Sequence, residues 1–211
     1  MSSKARHGAA TIQRFHRGDA ELGDADLEDA LHITLAGEKH IGALPALLHR
    51  FGNHNFGFER TSFHDIREIF RAVALQPSDV FCDAGAGYGH VVLYGALLAP
   101  CRWRAIEILP TRCYAMRRSA QRLGLGNVEI VQSDATAQDY GDVSYLLLNS
   151  PFFAEAAVPF VAKLAASNNR RLTVIAMNTI VATFRDSSVF REIDTDADIA
   201  NYRFGVFRRK D

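Results

Sequence analysis

Neither sign of charge is in excess in this sequence: 24 lysines and arginines stand against 24 aspartates and glutamates over 211 residues. A chain with no net charge has no global field to draw it onto nucleic acid or an anionic membrane, so contact with nucleic acid is possible only through a local patch and is not indicated. Cysteine is scarce. Cys82, Cys101 and Cys113 show neither close pairing nor metal-ligand spacing, and each lies in or beside an apolar segment. That argues against a disulfide framework and a cysteine-bound metal, and fits reduced, buried thiols in a cytoplasmic protein. No apolar run approaches the roughly 20 residues that a bilayer-spanning helix needs. The N-terminus lacks the apolar core of a secretory signal. His40, His49, His54 and His64 follow one another loosely, without the tight pairing of a zinc site. The length suits one domain with a small appendage.

What is present centres on Val80-Phe81-Cys82-Asp83-Ala84-Gly85-Ala86-Gly87-Tyr88-Gly89-His90. A short apolar run of this kind reads as a buried strand. Three glycines at alternate positions break it, and Val91-Val92-Leu93 resumes as a helix. Glycine permits the sharp turn and the close approach of a ligand, and the helix start offers free N–H groups. Dinucleotide sites favour G-x-G-x-x-G. Here the third glycine, Gly89, comes one residue early, and Asp83 closes the strand. A carboxylate there repels a pyrophosphate but suits the ammonium of a methionine-like tail. D-x-G-x-G-x-G is therefore closer to an S-adenosylmethionine pattern than to a nicotinamide one.

Residues 1 to about 22 read as a polar, frayed start. Helices are expected over Asp24 to Leu35, Ile41 to Phe51 and His64 to Val73, the last capped by Thr61 or Ser62. Strands are expected at Val80 to Asp83, Trp103 to Ile108, Val128 to Val131, Val143 to Leu148, Leu172 to Met177, Val189 to Ile193 and Tyr202 to Phe207, with helices between the early ones. Pro159 falls inside the helix expected over Ala154 to Ala166 and must kink it or mark its first turn. The pattern predicts an α/β fold: a doubly wound, Rossmann-like, seven-stranded and mostly parallel sheet with a C-terminal antiparallel hairpin and a helical N-terminal appendage. Residues 1–55 are expected to form a lid or extension and residues 56–211 the main domain.

In such a sheet, ligands sit outside the carboxyl ends of the strands. Four successive strands end in a polar residue: Asp83, Glu107, Asp134 and Asn149. Glu107, 24 residues after Asp83, is placed to accept from both hydroxyls of a ribose. Asp134, with Ala135 beside it, is placed to meet an adenine. Tyr88, in the glycine turn, is a candidate contact to the methionine tail. Arg112, Arg117, Arg118 and Arg122 read as one basic face of a single helix.

These features resemble the class I S-adenosylmethionine-dependent methyltransferases, over about residues 56 to 178. Within that class the chain looks most like the non-SET histone lysine methyltransferases, the disruptor-of-telomeric-silencing family. Thr61-Ser62-Phe63 before a helix is similar to the family's Glu-Thr-Ser-Phe segment, which helps hold the cofactor. Asp79 to Asp83 with the glycines is similar to its first motif. Leu148-Asn149-Ser150-Pro151-Phe152-Phe153 is similar to its Asn-Asn-Phe-Ala-Phe segment at the methyl-transfer site. Arg60 stands where the family has Glu, Ser150-Pro151 departs from the family's segment, and the family's long basic extension is missing. The same stretch partly resembles the Asn-Pro-Pro-Phe motif of methyltransferases acting on planar amino groups. The resemblance implies S-adenosylmethionine as cofactor, held by Thr61, Asp83, Gly85, Gly87, Tyr88, Glu107, Asp134, Ala135 and Asn149. It implies transfer to an amino group, with Asn149, Phe152 and Phe153 at the reacting centre and a protein amine or small molecule as acceptor. Two other readings are an NAD(P)-dependent reductase and a non-catalytic cofactor-binding module of the same fold.

Overall fold

The computed structural model describes residues 3–35, 49, 57–193 and 204–210. The helix expected over Ile41 to Phe51 and the turn before the last strand lie outside the described residues, apart from His49 in the first. The elements run α1 (Ser3–Arg17), α2 (Asp24–Ala30), α3 (Phe63–Ala72), β1 (Val80–Ala84), α4 (His90–Ala96), β2 (Arg102–Glu107), α5 (Pro110–Leu123), β3 (Val128–Gln132), β4 (Tyr145–Asn149), α6 (Ala154–Ala166), β5 (Thr173–Met177), α7 (Ile180–Arg185), β6 (Phe190–Glu192) and β7 (Phe204–Arg209). A single 3₁₀ turn, Ala135–Ala137, follows β3.

The seven strands form one sheet in the order β3-β2-β1-β4-β5-β7-β6. β1 pairs in parallel with β2 and β4, β2 with β3, and β4 with β5. β7 runs antiparallel to both β5 and β6. β1 and β5 are buried along their whole length, as strands covered on both faces must be. Strand alternation sorts their side chains into two cores. Phe81, Trp103, Leu147 and Ile175 point to one face, under α1 to α5. Val80, Cys82, Leu146, Leu148 and Val174 point to the other, under α6 and α7. Strand order reverses between β1 and β4, which opens a crevice at their carboxyl ends.

The N-terminal stretch departs from the frayed start expected of it. α1 is a helix whose Ile12 and Phe15 are fully buried. Phe15 packs edge-on to Tyr94 and His64, under the Arg67 guanidinium. Two apolar residues one turn apart give a stripe too thin to read in sequence, yet full burial makes each count for roughly 1.5–3 kcal/mol. α7 also lies in a stretch where no element is expected. Ser62 is the cap of α3, its hydroxyl accepting from the Asp65 N–H at 3.0 Å. Pro159 sits within α6 rather than in its first turn.

On the first face, α4 approaches the sheet so closely that a Cβ at Gly95 would run into the Trp103 indole and the Phe70 ring. Gly95→Ala is therefore expected to destabilise the fold by about 1–3 kcal/mol through overpacking, against the ~1 kcal/mol gain that alanine brings to an open helix interior. Denaturant unfolding measures the sign, and a gain in stability would contradict this packing.

Candidate active site

β1 delivers Asp83 to the crevice, and the chain then turns through Gly85, Gly87 and Gly89, with φ of 89°, 56° and 86°. L side chains avoid that region. Space is short as well: a Cβ at Gly85 would lie 2.8 Å from Pro151, and one at Gly87 3.0 Å from the Phe58 ring. The corner thus presents bare backbone between the β4 loop on one side and the segment before α3 on the other.

Of the residues expected here, Thr61, Asp83, Gly85, Gly87, Glu107, Ala135, Asn149 and Phe152 line one cleft. Tyr88, Asp134 and Phe153 do not line it. The Tyr88 ring is buried, edge-on to Phe58 at 5.0 Å. Asp134 turns its Oδ1 back on its own loop, accepting from the N–H and the hydroxyl of Thr136 at 2.7 Å each. Phe153 is 47% exposed and sits at the cap of α6, while Phe152 is buried against Phe160 with ring centroids 4.8 Å apart.

The cleft holds two buried acids of different character. Glu107 Oε2 accepts from the Gly87 N–H and Oε1 from the Leu109 N–H, both at 2.8 Å. Burial raises its pKa, opposed by the Arg112 charge and those backbone donors. The Ile108 N–H is a third backbone donor to this carboxylate, and of its roughly four lone-pair sites that leaves room for a ligand hydroxyl. Asp83 is 4% exposed, and among the described residues no group donates to its carboxyl. Burial first, and then the negative charge of Glu107, push its pKa up to about 7. An acid left without a donor in a lined cleft fits a ligand that brings a cation, and the bare glycine backbone fits one that lies flat. These residues suit the adenosyl and aminoacyl parts of S-adenosylmethionine.

Several contributors were not read from the sequence. Arg112 is buried, apart from the exposed Arg117, Arg118 and Arg122 with which its charge groups it. Five positions before Arg117, it lies roughly 140° around the helix. Its guanidinium stands 3.9 Å from Glu107 and over the Phe58 and Tyr88 rings. His90 is buried at the start of α4, and burial lowers its pKa against the pull of Glu28, whose carboxylate is 3.2 Å from Nε2. The same Glu28 oxygen accepts from Arg60 at 2.6 Å, and Arg60 also pairs with Asp24. Helix α2 thereby ties the segment carrying Thr61 to the cleft.

Asp83 sets a sign for pH dependence. Its folded pKa is raised, so the folded state holds a proton that the unfolded chain releases above about 4. Its contribution to stability is full below that value and is lost as pH rises through about 7. Asp83→Asn is expected to leave stability little changed at about pH 4 and to raise it by on the order of a few kcal/mol at about pH 8. Denaturant midpoints at both values check it, and a variant less stable at the higher pH would contradict an unpaired Asp83.

Residues 48–123, just over a third of the chain, match the family model of the histone methylation protein DOT1. No curated protein matches the chain in sequence. Among solved structures, an RNA methyltransferase from Salinibacter ruber, in complex with S-adenosyl-L-homocysteine, superposes with a TM-score of 0.53 and 20% identity, over 72% of this chain and 92% of that one. TrmN from Thermus thermophilus gives 0.56 and 17%, over 69% of this chain and 48% of its own. A SAM-dependent O-methyltransferase from Thermotoga maritima gives 0.54 and 15%, over 73% and 67%. The chain has the class I S-adenosylmethionine-dependent methyltransferase fold and is DOT1-like across the segment that carries the glycine corner.

Proposed function

We propose that the chain transfers a methyl group from S-adenosylmethionine to an amino group, with a protein lysine as the first candidate acceptor. The observation that carries this reading is the buried carboxyl of Asp83 beside the glycine corner, to which no group among the described residues donates. A charge-assisted bond from the cofactor's ammonium is the partner such a group lacks. Glu107 offers lone pairs to the ribose, the backbone around Ser133 and Ala135 borders the adenine, and Gly85 and Gly87 allow close approach. Bound there, the cofactor supplies the electrophilic methyl carbon.

The chain's own residues then orient the acceptor. Holding a nucleophile in line with the methyl contributes on the order of 7–11 kcal/mol. Asn149 accepts an N–H of the amine through its side-chain oxygen without holding it as an ammonium. Phe152 and Phe58 supply apolar walls, whose desolvation favours the neutral amine. The N-terminal residues 1–55 act as a lid that selects the acceptor, with Glu28 and Asp24 fastening Arg60. With no helix among the described residues long and apolar enough to cross a membrane, a cytoplasmic setting fits this role. The second reading is a planar base amine as acceptor. The stretch Asn149-Ser150-Pro151-Phe152 favours it, and the Salinibacter ruber protein carries an RNA-methyltransferase name.

Labelled S-adenosylmethionine, offered with protein, nucleic-acid and small-molecule fractions of whole cells, separates these acceptors. Asp83→Ala is expected to weaken S-adenosylhomocysteine binding about tenfold or more, since hydrogen bonds to charged groups contribute roughly 1.5–3 kcal/mol. Asn149→Ala is expected to leave that affinity within about threefold and to lower turnover about 100-fold. Binding of NADPH in place of S-adenosylhomocysteine would move the reading to a reductase. Intact cofactor binding with no transfer to any fraction would move it to a binding module.

A further inference from the structure

We infer that Asn178 is a positioning residue for the acceptor, locking the Asn149 amide so that it can only receive a hydrogen bond. The inference rests on the methyltransferase reading above. Asn178 follows β5 and is absent from the lining of the cleft; it acts through its neighbour. Register brings the two segments together, since Asn149 pairs with Met177 across β4 and β5.

The amide orientations follow from what each partner can do. Asn178 Nδ2 donates to Glu59 Oε1 at 3.1 Å and to Asn149 Oδ1 at 2.7 Å. Asn149 Nδ2 donates to the Glu59 carbonyl at 3.2 Å and to Thr61 Oγ1 at 3.0 Å. The Thr61 hydroxyl proton is directed to Met177 Sδ at 4.0 Å, so its oxygen is left to accept. A carbonyl and a carboxylate only accept, so flipping either amide would set oxygen against oxygen. Both N–H groups of Asn149 are thereby used, and one lone pair of Oδ1 is taken by Asn178. What is left is the second lone pair of that oxygen. A group docking on Asn149 must therefore bring an N–H or O–H, and one with lone pairs alone is rejected.

The backbone supports the lock. Asn178 is left-handed, with φ 57°, and so is Ser150 beside Asn149, with φ 46°. Asparagine is among the few residues other than glycine that tolerate this region. The Ser150 and Thr179 hydroxyls lie 3.4 Å apart and make a second tie between the same two loops. Non-glycine residues stay left-handed where their surroundings hold them there.

Two variants test the lock. Asn178→Gly keeps the left-handed backbone and removes the amide, and Asn178→Asp keeps the size and sets a carboxylate against Glu59. The readouts are the ¹⁵N side-chain amide signals of Asn149 and the affinity for S-adenosylhomocysteine. In both variants, exchange of the Asn149 amide protons with water is expected to speed up about tenfold or more, with affinity within about threefold of the parent. Should Asn178→Asp not fold, Asn178→Gly carries the test alone. Unchanged Asn149 signals in a folded variant would overturn the lock, and affinity falling in step with exchange would place Asn178 in the cofactor site instead. A parent chain that binds no S-adenosylhomocysteine would overturn the methyltransferase reading and the acceptor role together, whereas unchanged signals with intact binding would overturn the lock alone.

Discussion

A carboxyl group buried without a hydrogen-bond donor is a cost that a fold keeps only where something else relieves it, and among the described residues Asp83 is such a group. Its place follows from chain topology. β1 is central in a sheet whose order reverses between β1 and β4, so the tip of β1 opens into a crevice that no crossover helix fills. A second acid, Glu107, arrives from the neighbouring strand and raises the cost of ionising Asp83 further. The two acids differ because Glu107 has backbone N–H groups and Arg112 around it. One acid is built into the protein, and the other faces what comes from outside.

Around this pair the crevice is assembled from distant stretches. Thr61 comes from the segment before α3, Glu107 from β2, Ala135 from the turn after β3 and Asn149 from β4. Helix α2 reaches in through Glu28 to Arg60 and His90. The N-terminal helices therefore belong to the same packed unit as the sheet, and their charges bear on the rim of the site.

Much of this was legible in the sequence, for a physical reason. Parallel strands are short apolar runs, and a polar residue that ends each one marks a strand tip, so Asp83, Glu107 and Asn149 could be named and brought to one side of the sheet. The strands fall within two residues of their expected limits. Helical phase was less visible. Grouping Arg112 with Arg117, Arg118 and Arg122 by charge overlooks that one of them turns inward to a buried acid. α1 was obscured because Ile12 and Phe15 stand alone among polar neighbours. Asn178 had no local signal at all: 29 residues separate it from Asn149, and sheet register alone makes them neighbours. Asp134 had the signal of a strand-tip acid, yet its side chain caps the turn that follows it.

A cation arriving beside Asp83 must drive off the proton that burial holds there. Calorimetry of S-adenosylhomocysteine binding in buffers of different ionisation enthalpy measures that proton directly. With Asp83 pushed up to about 7, binding is predicted to release close to one proton at about pH 6, markedly less at about pH 8, and none at either pH in Asp83→Asn. Binding with no proton release at about pH 6, or with the same release in Asp83→Asn, would contradict the account.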